Sequence, residues 1–407
     1  MIATTINLYR DAYSGLSRRM WLLALVMLVN RCGTMVLPFM TLYCHHRGYT
    51  ATQGGLAVAI YGIGAVVGAF FGGRVSDRWG FYNMQITALC GGGLMFILLG
   101  QMNTYAGICS CIFFTSMINE SFRPANASAI AHYSTPASRT QSFSLVRLAI
   151  NMGWGVGSAL AGILASVSYN LLFWVDGFTN IAAGILLVII LPKVSLAQQK
   201  KAAAHTADKA ISPYKDKVFI IFIGFMLLFA LCFFQLFTTV PLYFKEGLHL
   251  NEFWIGVIMA MNGILIALFE MVIVFNLEGR RTYLQLMMYG TLLIAASFFV
   301  LNLPWVSGFM VACTATLIIT FGEIIGMPFM NSYYISRSNA ANRGQYAALF
   351  TMAWSTAQVI GSLSGTQIAH SLGFAVLWWV IGALCLLTAY GFFQLNRKAK
   401  PLGVEAT

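Results

Sequence analysis

Six ionisable side chains stand inside stretches that are otherwise apolar. Glu120 and Arg123 lie in 117-MINESFRPANASA-129, Arg31 lies in 29-VNRCGTMVLP-38, and Arg147, Glu270 and Glu323 stand apart. Such residues are costly in an apolar phase unless paired or wet, so each is a candidate for function. Their chemistry is the binding of protons and charge. Burial favours the neutral form of a carboxyl, and a nearby guanidinium favours the charged form. An acid that changes its Arg partner between two conformations therefore holds a proton differently in each, which lets a proton gradient drive a cycle. Glu120 and Arg123, at i and i+3, share a helix face. Glu270 is alone in its segment. Glu323 has no base in its own segment and is expected to be neutral at rest. A static ion pair, or a neutral hydrogen-bonded Glu, is the competing reading at each place. Asp176 falls nearer a membrane face.

A cavity is expected where polar or aromatic residues interrupt the apolar pattern: Asn30, Tyr61, Asn119, Asn151, Gln235, Asn262, Asn331, Tyr334 and Trp354. Aromatics make up 14% of the chain and Met occurs twenty times, a composition of soft side chains that suits adaptable apolar recognition. Most of these side chains are expected simply to face lipid.

The elements that position these groups are membrane spans. Of 407 residues 59% are apolar and 9% charged, against about 25% charged in a soluble domain. Segments of about 20 apolar residues suffice to cross, and twelve are found: 20–43, 52–72, 83–101, 105–131, 141–166, 171–192, 217–243, 252–276, 282–302, 305–333, 345–370 and 373–395. The first twenty residues lack the core of a cleavable signal; residues 1–19 read as an interfacial amphipathic segment with Ile6, Leu8, Tyr9, Tyr13 and Leu16 on its apolar side. Alternate loops and both ends carry Arg10, Arg18, Arg19, Arg74, Arg78, Arg139, Arg280, Arg281, Arg337, Arg343, Arg397, Lys398 and Lys400. Those on the other side hold little more than Arg47 and Lys245. Both termini are therefore expected in the cytoplasm. The net charge of +12 follows this topology, so no nucleic-acid partner is inferred. The Lys-rich stretch 193–216 is the linker, dividing six spans (20–192) from six (217–395), with a tail at 396–407.

The two sets of six are related. A shift of 204 places Pro124 on Pro328, Ser128 on Ser332, Arg139 on Arg343, Gln141 on Gln345, Gly157 on Gly361 and Trp174 on Trp378, with Glu120 on Glu323 at a shift of 203. Six spans return the chain to the same side, so the repeat is parallel, as in transporters whose site lies between two bundles. Pro124 and Pro328 are expected to kink equivalent helices. No GxxxxGK[ST] loop is present, which excludes direct ATP coupling of that type. The eight Cys form no metal-spaced pair, and His45 and His46 make at most a weak metal site.

The loop 72-GGRVSDRWG-80 carries Gly73-x-x-x-Asp77-Arg78-x-Gly80, which resembles the cytoplasmic signature of the major facilitator superfamily. The resemblance implies an all-α fold of twelve transmembrane helices in two pseudo-symmetric bundles. It also implies that Gly73, Asp77, Arg78 and Gly80 latch the outward-facing state, Asp77 by accepting hydrogen bonds from a helix N-terminus and pairing with a base. Phe81 and Tyr82 stand where the family pattern continues with bases. The counterpart 276-NLEGRRTY-283 has no Asp-Arg pair, so a lopsided latch is expected. The stretch 150-INMGWGVGSALAG-162, with Gly153, Gly155, Gly157 and Gly162, resembles the glycine-rich fifth helix of drug/proton antiporters without its Gly-Pro; such small residues are also general packing surface. Family geometry would bring Arg31 to Glu120. The function implied is a proton-coupled transporter working by alternating access, exporting amphipathic or cationic small molecules across a bacterial inner membrane. It needs no cofactor beyond the proton gradient and acts as a monomer. An importer of a peptide or charged solute, with a buried Arg clamping an anionic group, is the alternative. Proton coupling is placed on Glu120 ahead of Glu323.

Overall fold

Side-chain caps start most of the long helices. Ser17, Thr50, Thr104, Asp216, Asn251 and Thr282 each accept a backbone N–H two or three places into the following helix, which satisfies donors that a helix start leaves unpaired. The computed structural model describes residues 2–194, 211–303 and 307–398. Lys200, Lys201, Lys209 and Lys400 lie outside them.

In chain order the helices are α1 Ile2–Tyr13, α2 Arg18–Cys32, α3 Val36–His46, α4 Ala51–Trp79, α5 Phe81–Leu99, α6 Tyr105–Glu120, α7 Phe122–Tyr133, α8 Arg139–Val167 and α9 Tyr169–Ile190. After the linker come α10 Lys217–Phe233, a 3-10 turn Phe234–Phe237, α11 Thr239–Glu246, α12 Glu252–Leu277, α13 Tyr283–Val300, α14 Gly308–Arg337, α15 Arg343–Leu372 and α16 Phe374–Lys398. Ten of these stretches, counting α2–α3 and α10–α11 each as one, are long and apolar enough to cross a membrane. The α6–α7 pair and the more polar α15 make the fourth and eleventh crossings of a twelve-helix, all-α membrane fold. The helix carrying Asp77 runs on to Trp79, beyond the apolar segment 52–72.

Three crossings expected to be continuous are broken. The first stops at Gly33, where a Cβ would lie 1.6 Å from Thr179 Oγ1, and restarts where Asp176 accepts the N–H groups of Met35 and Val36 at 2.8–3.1 Å. Asp176 thus caps the second piece. The fourth breaks at Ser121, one turn before Pro124, whose missing N–H leaves the Glu120 carbonyl without its helical donor. Pro328 by contrast lies inside an unbroken α14, so the two prolines do not mark equivalent breaks. The seventh crossing tightens at Phe234–Phe237, where Gln235 donates to Gly361 O at 2.8 Å and accepts from Thr239.

Within the first bundle α4 packs on α6, α5 on α9 and α2 on α8; within the second α13 packs on α14 and α16, and α10 on α15. The bundles meet through α4 and α7 on α15, and through α8 on α12 and α14. Side-chain bonds between them, from Asp77, Thr140 and Arg147, lie toward the end that carries the basic loops. That end is closed. α1 does not stay with its own bundle: Tyr9 Oη donates to Leu268 O of α12 at 2.7 Å, and Ala12 is fully buried.

Candidate functional site

Arg147 lies two turns into α8 and crosses the bundle interface. Its Nη1 meets Glu270 Oε2 at 2.8 Å and its Nη2 meets Glu323 Oε2 at 2.7 Å. Asn262 of α12 donates to the other Glu323 oxygen at 3.0 Å and to Thr320 Oγ1 at 2.8 Å. Both carboxylates are buried, with side chains 4% and 2% exposed. Glu270 is therefore not alone, and Glu323 is not without a base; the base comes from the other bundle. Two carboxylates face one guanidinium, so one negative charge is left over when both are ionised. One added proton cancels it.

The first bundle holds the opposite imbalance. Arg123 Nε contacts Glu120 Oε2 at 2.6 Å, and Tyr61 Oη donates to Glu120 Oε1 at 3.2 Å. Arg31, at the end of α2, is held in the fields of Arg123, Glu120 and Tyr61, and its buried Nε has no hydrogen-bond partner. Two guanidiniums thus share one carboxylate. Two glycines of α8 bring Arg31 here: a Cβ on Gly153 would lie 2.6 Å from Arg31 Cβ, and one on Gly157 would lie 2.9 Å from Cys32 O. Gly155 and Gly162 have nothing within 4 Å and play no such part.

At the basic end, Asp77 accepts the N–H groups of Gly344 at 2.7 Å and Gln345 at 3.0 Å, capping α15 from the other bundle. Gly73 is required, since its Cβ would meet Gly344 O and Ala348 Cβ at 2.5 Å. Gly80 turns the chain at φ 96°. Arg343 is the base in the field of Asp77. Arg78 is exposed and makes no side-chain bond among the described residues. The lopsided latch expected from 276-NLEGRRTY-283 is not what forms. Thr140 Oγ1, at the start of α8, donates to Glu278 Oε1 at 2.5 Å and pairs with Ser332 at 2.7 Å, with Arg139 in the field of Glu278. A longer acid, one place before the turning Gly279 instead of three, reaches the equivalent helix start. Aligning the loops on their glycines, not on the shift of 204, would have exposed it. Nearby, Asp216 caps α10 and takes Arg337 at 2.8 and 3.0 Å. Burial works to raise its carboxyl, but the Arg337 bonds and the Phe219 N–H outweigh that and hold it below the usual range.

The remaining polar candidates divide. Asn30 is buried and donates to Asn180 at 2.8 Å, within one bundle, and Gln235 is consumed by the seventh-crossing turn. Neither is free to line a cavity. Asn331 donates to Met327 O of its own helix. Tyr334 packs between Phe143 of the other bundle and Phe350, while Trp354 stacks on Phe350 and packs against Phe233 and, edge-on, Phe234. Asn119 and Asn151 are half-buried.

The sequence model of the Major Facilitator Superfamily matches residues 22–362. The chain belongs to that superfamily. It is accordingly a multi-pass membrane transporter and not an enzyme. Relatives include a Na(+), Li(+), K(+)/H(+) antiporter of Planococcus maritimus, 24% identical over 90% of this chain and 93% of the relative. Another is the quinolone resistance protein NorA of Staphylococcus aureus, 23% identical over 83% of this chain and 85% of its own length. Among solved structures, the human organic anion transporter MFSD10 superposes with a TM-score of 0.72 at 13% identity, over 92% of this chain and 98% of that one; this likeness speaks for the fold alone. Members of the superfamily carry small molecules and are driven by ion gradients.

Proposed function

We propose that the chain is a proton-coupled antiporter that exports amphipathic small molecules by alternating access, with the basic end in the cytoplasm of a bacterial cell and a single chain as the working unit. The observation that carries the reading is the Arg147–Glu270–Glu323 triad, a bond between bundles with room for one proton. A proton on either acid removes charge that Arg147 holds, loosening the closed end; its loss restores the lock. Proton affinity then depends on state, the condition for a gradient to bias the cycle. The antiporter and the quinolone resistance protein among the relatives support the direction. A preference for cations loses its support here, because Glu120, Glu270 and Glu323 are each already held by an Arg. The test is substrate flux in proteoliposomes under an imposed pH gradient. Glu270→Gln and Glu323→Gln should abolish gradient-driven accumulation while exchange of substrate down its own gradient survives. Accumulation undiminished in both variants would sink the assignment.

A further inference from the structure

We propose that the substrate carries one anionic group, bound in the first bundle between Arg31 and Arg123. The proposal deepens the transport reading and rests on it only for the idea that a small molecule enters. Glu120 is paired with Arg123 at Oε2 and takes the Tyr61 hydroxyl at Oε1, and Arg31 makes no hydrogen bond to it. Its Nε is sealed from solvent without a partner, a state that costs free energy until an acceptor arrives. The Arg123 side chain is 37% exposed at mid-crossing. A charge exposed at that depth faces a wet gap between bundles, not lipid, so the site can be reached. The break at Gly33 and the glycine contacts of α8 fix the backbone that carries Arg31. The charge count then sets the ligand class: two guanidiniums and one carboxylate are short by one negative charge. A carboxylate or similar monoanion supplies it, with the planar geometry that a guanidinium binds through two hydrogen bonds. An apolar body on that anion would suit the surrounding helices.

The experiment is equilibrium binding to the full chain in detergent, with no gradient, so that failure of proton coupling leaves the result untouched. Three probes share one ring system: 2-naphthoate, its primary amide, and a naphthylmethyl-trimethylammonium. The carboxylate should bind at least tenfold tighter than the amide, and the cation weakest. Arg31→Gln should erase the preference for carboxylate over amide, Arg31→Lys should keep part of it, and Arg397→Gln, at the exposed end of α16, should keep it whole. Retained thermal midpoint in Arg31→Gln guards against a folding defect. A cation that binds tighter than the carboxylate overturns the proposal. So does a preference that survives Arg31→Gln, or the failure of benzoate, 2-naphthoate and decanoate alike to bind.

Discussion

Removing Arg147 tests the lock most severely. In Arg147→Gln two buried carboxylates, Glu270 and Glu323, face each other across the closed interface without a cation, and two bonds of 2.7–2.8 Å are lost. Breaking a buried ion pair by deleting one partner costs about 3–5 kcal/mol. At about 1.4 kcal/mol per factor of ten, the closed-to-open ratio should fall roughly a hundred- to several-thousand-fold. Ser332 reports that ratio. It is fully buried against Thr140 of the other bundle, so a cysteine there reacts with a hydrophilic maleimide only when the basic end opens. In a background with the eight native cysteines replaced, Ser332→Cys should label slowly at neutral pH, and Arg147→Gln should raise the rate by that factor. Adding Glu270→Gln and Glu323→Gln to Arg147→Gln removes the unpaired charges and should return the rate most of the way. Glu120→Gln, whose ion pair lies within one bundle, should leave it unchanged. An unaltered rate in Arg147→Gln, or a triple variant as reactive as the single, refutes the reasoning.

The latch should respond at both of its ends: Asp77→Ala and Glu278→Ala each remove an acid from a helix start, a change worth about 0.5–2 kcal/mol, and each should raise Ser332→Cys labelling by up to about thirtyfold. Arg78→Ala, with an exposed side chain, should not. Gly153→Ala forces a Cβ onto Arg31 Cβ at 2.6 Å and should destabilise the purified protein by about 1–3 kcal/mol in thermal melts, whereas Gly155→Ala, with open space around it, should melt like the parent. Asp216 has a depressed carboxyl, so its contribution is present above the unfolded value of about 3.9 and fades as pH falls through the lower folded value. The thermal midpoint of Asp216→Asn should therefore lie below the parent at neutral pH, and the two should converge below about pH 4; a constant gap would contradict the linkage.

The architecture was legible because it is written in local composition. Apolar length marks a span wherever it occurs, and the repeat through Pro124 and Pro328 or Arg139 and Arg343 needs only one shift to be seen. Breaks in the crossings were less so. Gly33 is one glycine among thirty-eight, and its meaning depends on Thr179 and Asp176, about 140 residues away. Partners across the bundles were not legible at all: Arg147 stands 123 and 176 residues from its two acids, and no periodicity links them. Glu278 was hidden by its length, because a Glu beside the turning glycine does what an Asp does two residues earlier.

On those partners we propose a different order of importance. From sequence, Glu120 stands ahead of Glu323, since an Arg sits beside it. That proximity argues the other way once two bundles must move against each other. Arg123 lies three residues from Glu120, in the same bundle, so rigid rocking carries the pair along intact and leaves its proton affinity much the same in either state. Glu323 is bound by a residue of the opposite bundle and must lose it whenever the basic end opens. A ligand can shift an equilibrium only through a difference in affinity between its states. The acid whose partner changes with state is the one a proton can use, and by that criterion we propose that coupling lies with Glu323 and Glu270, with Glu120 holding Arg123 in place beside Arg31.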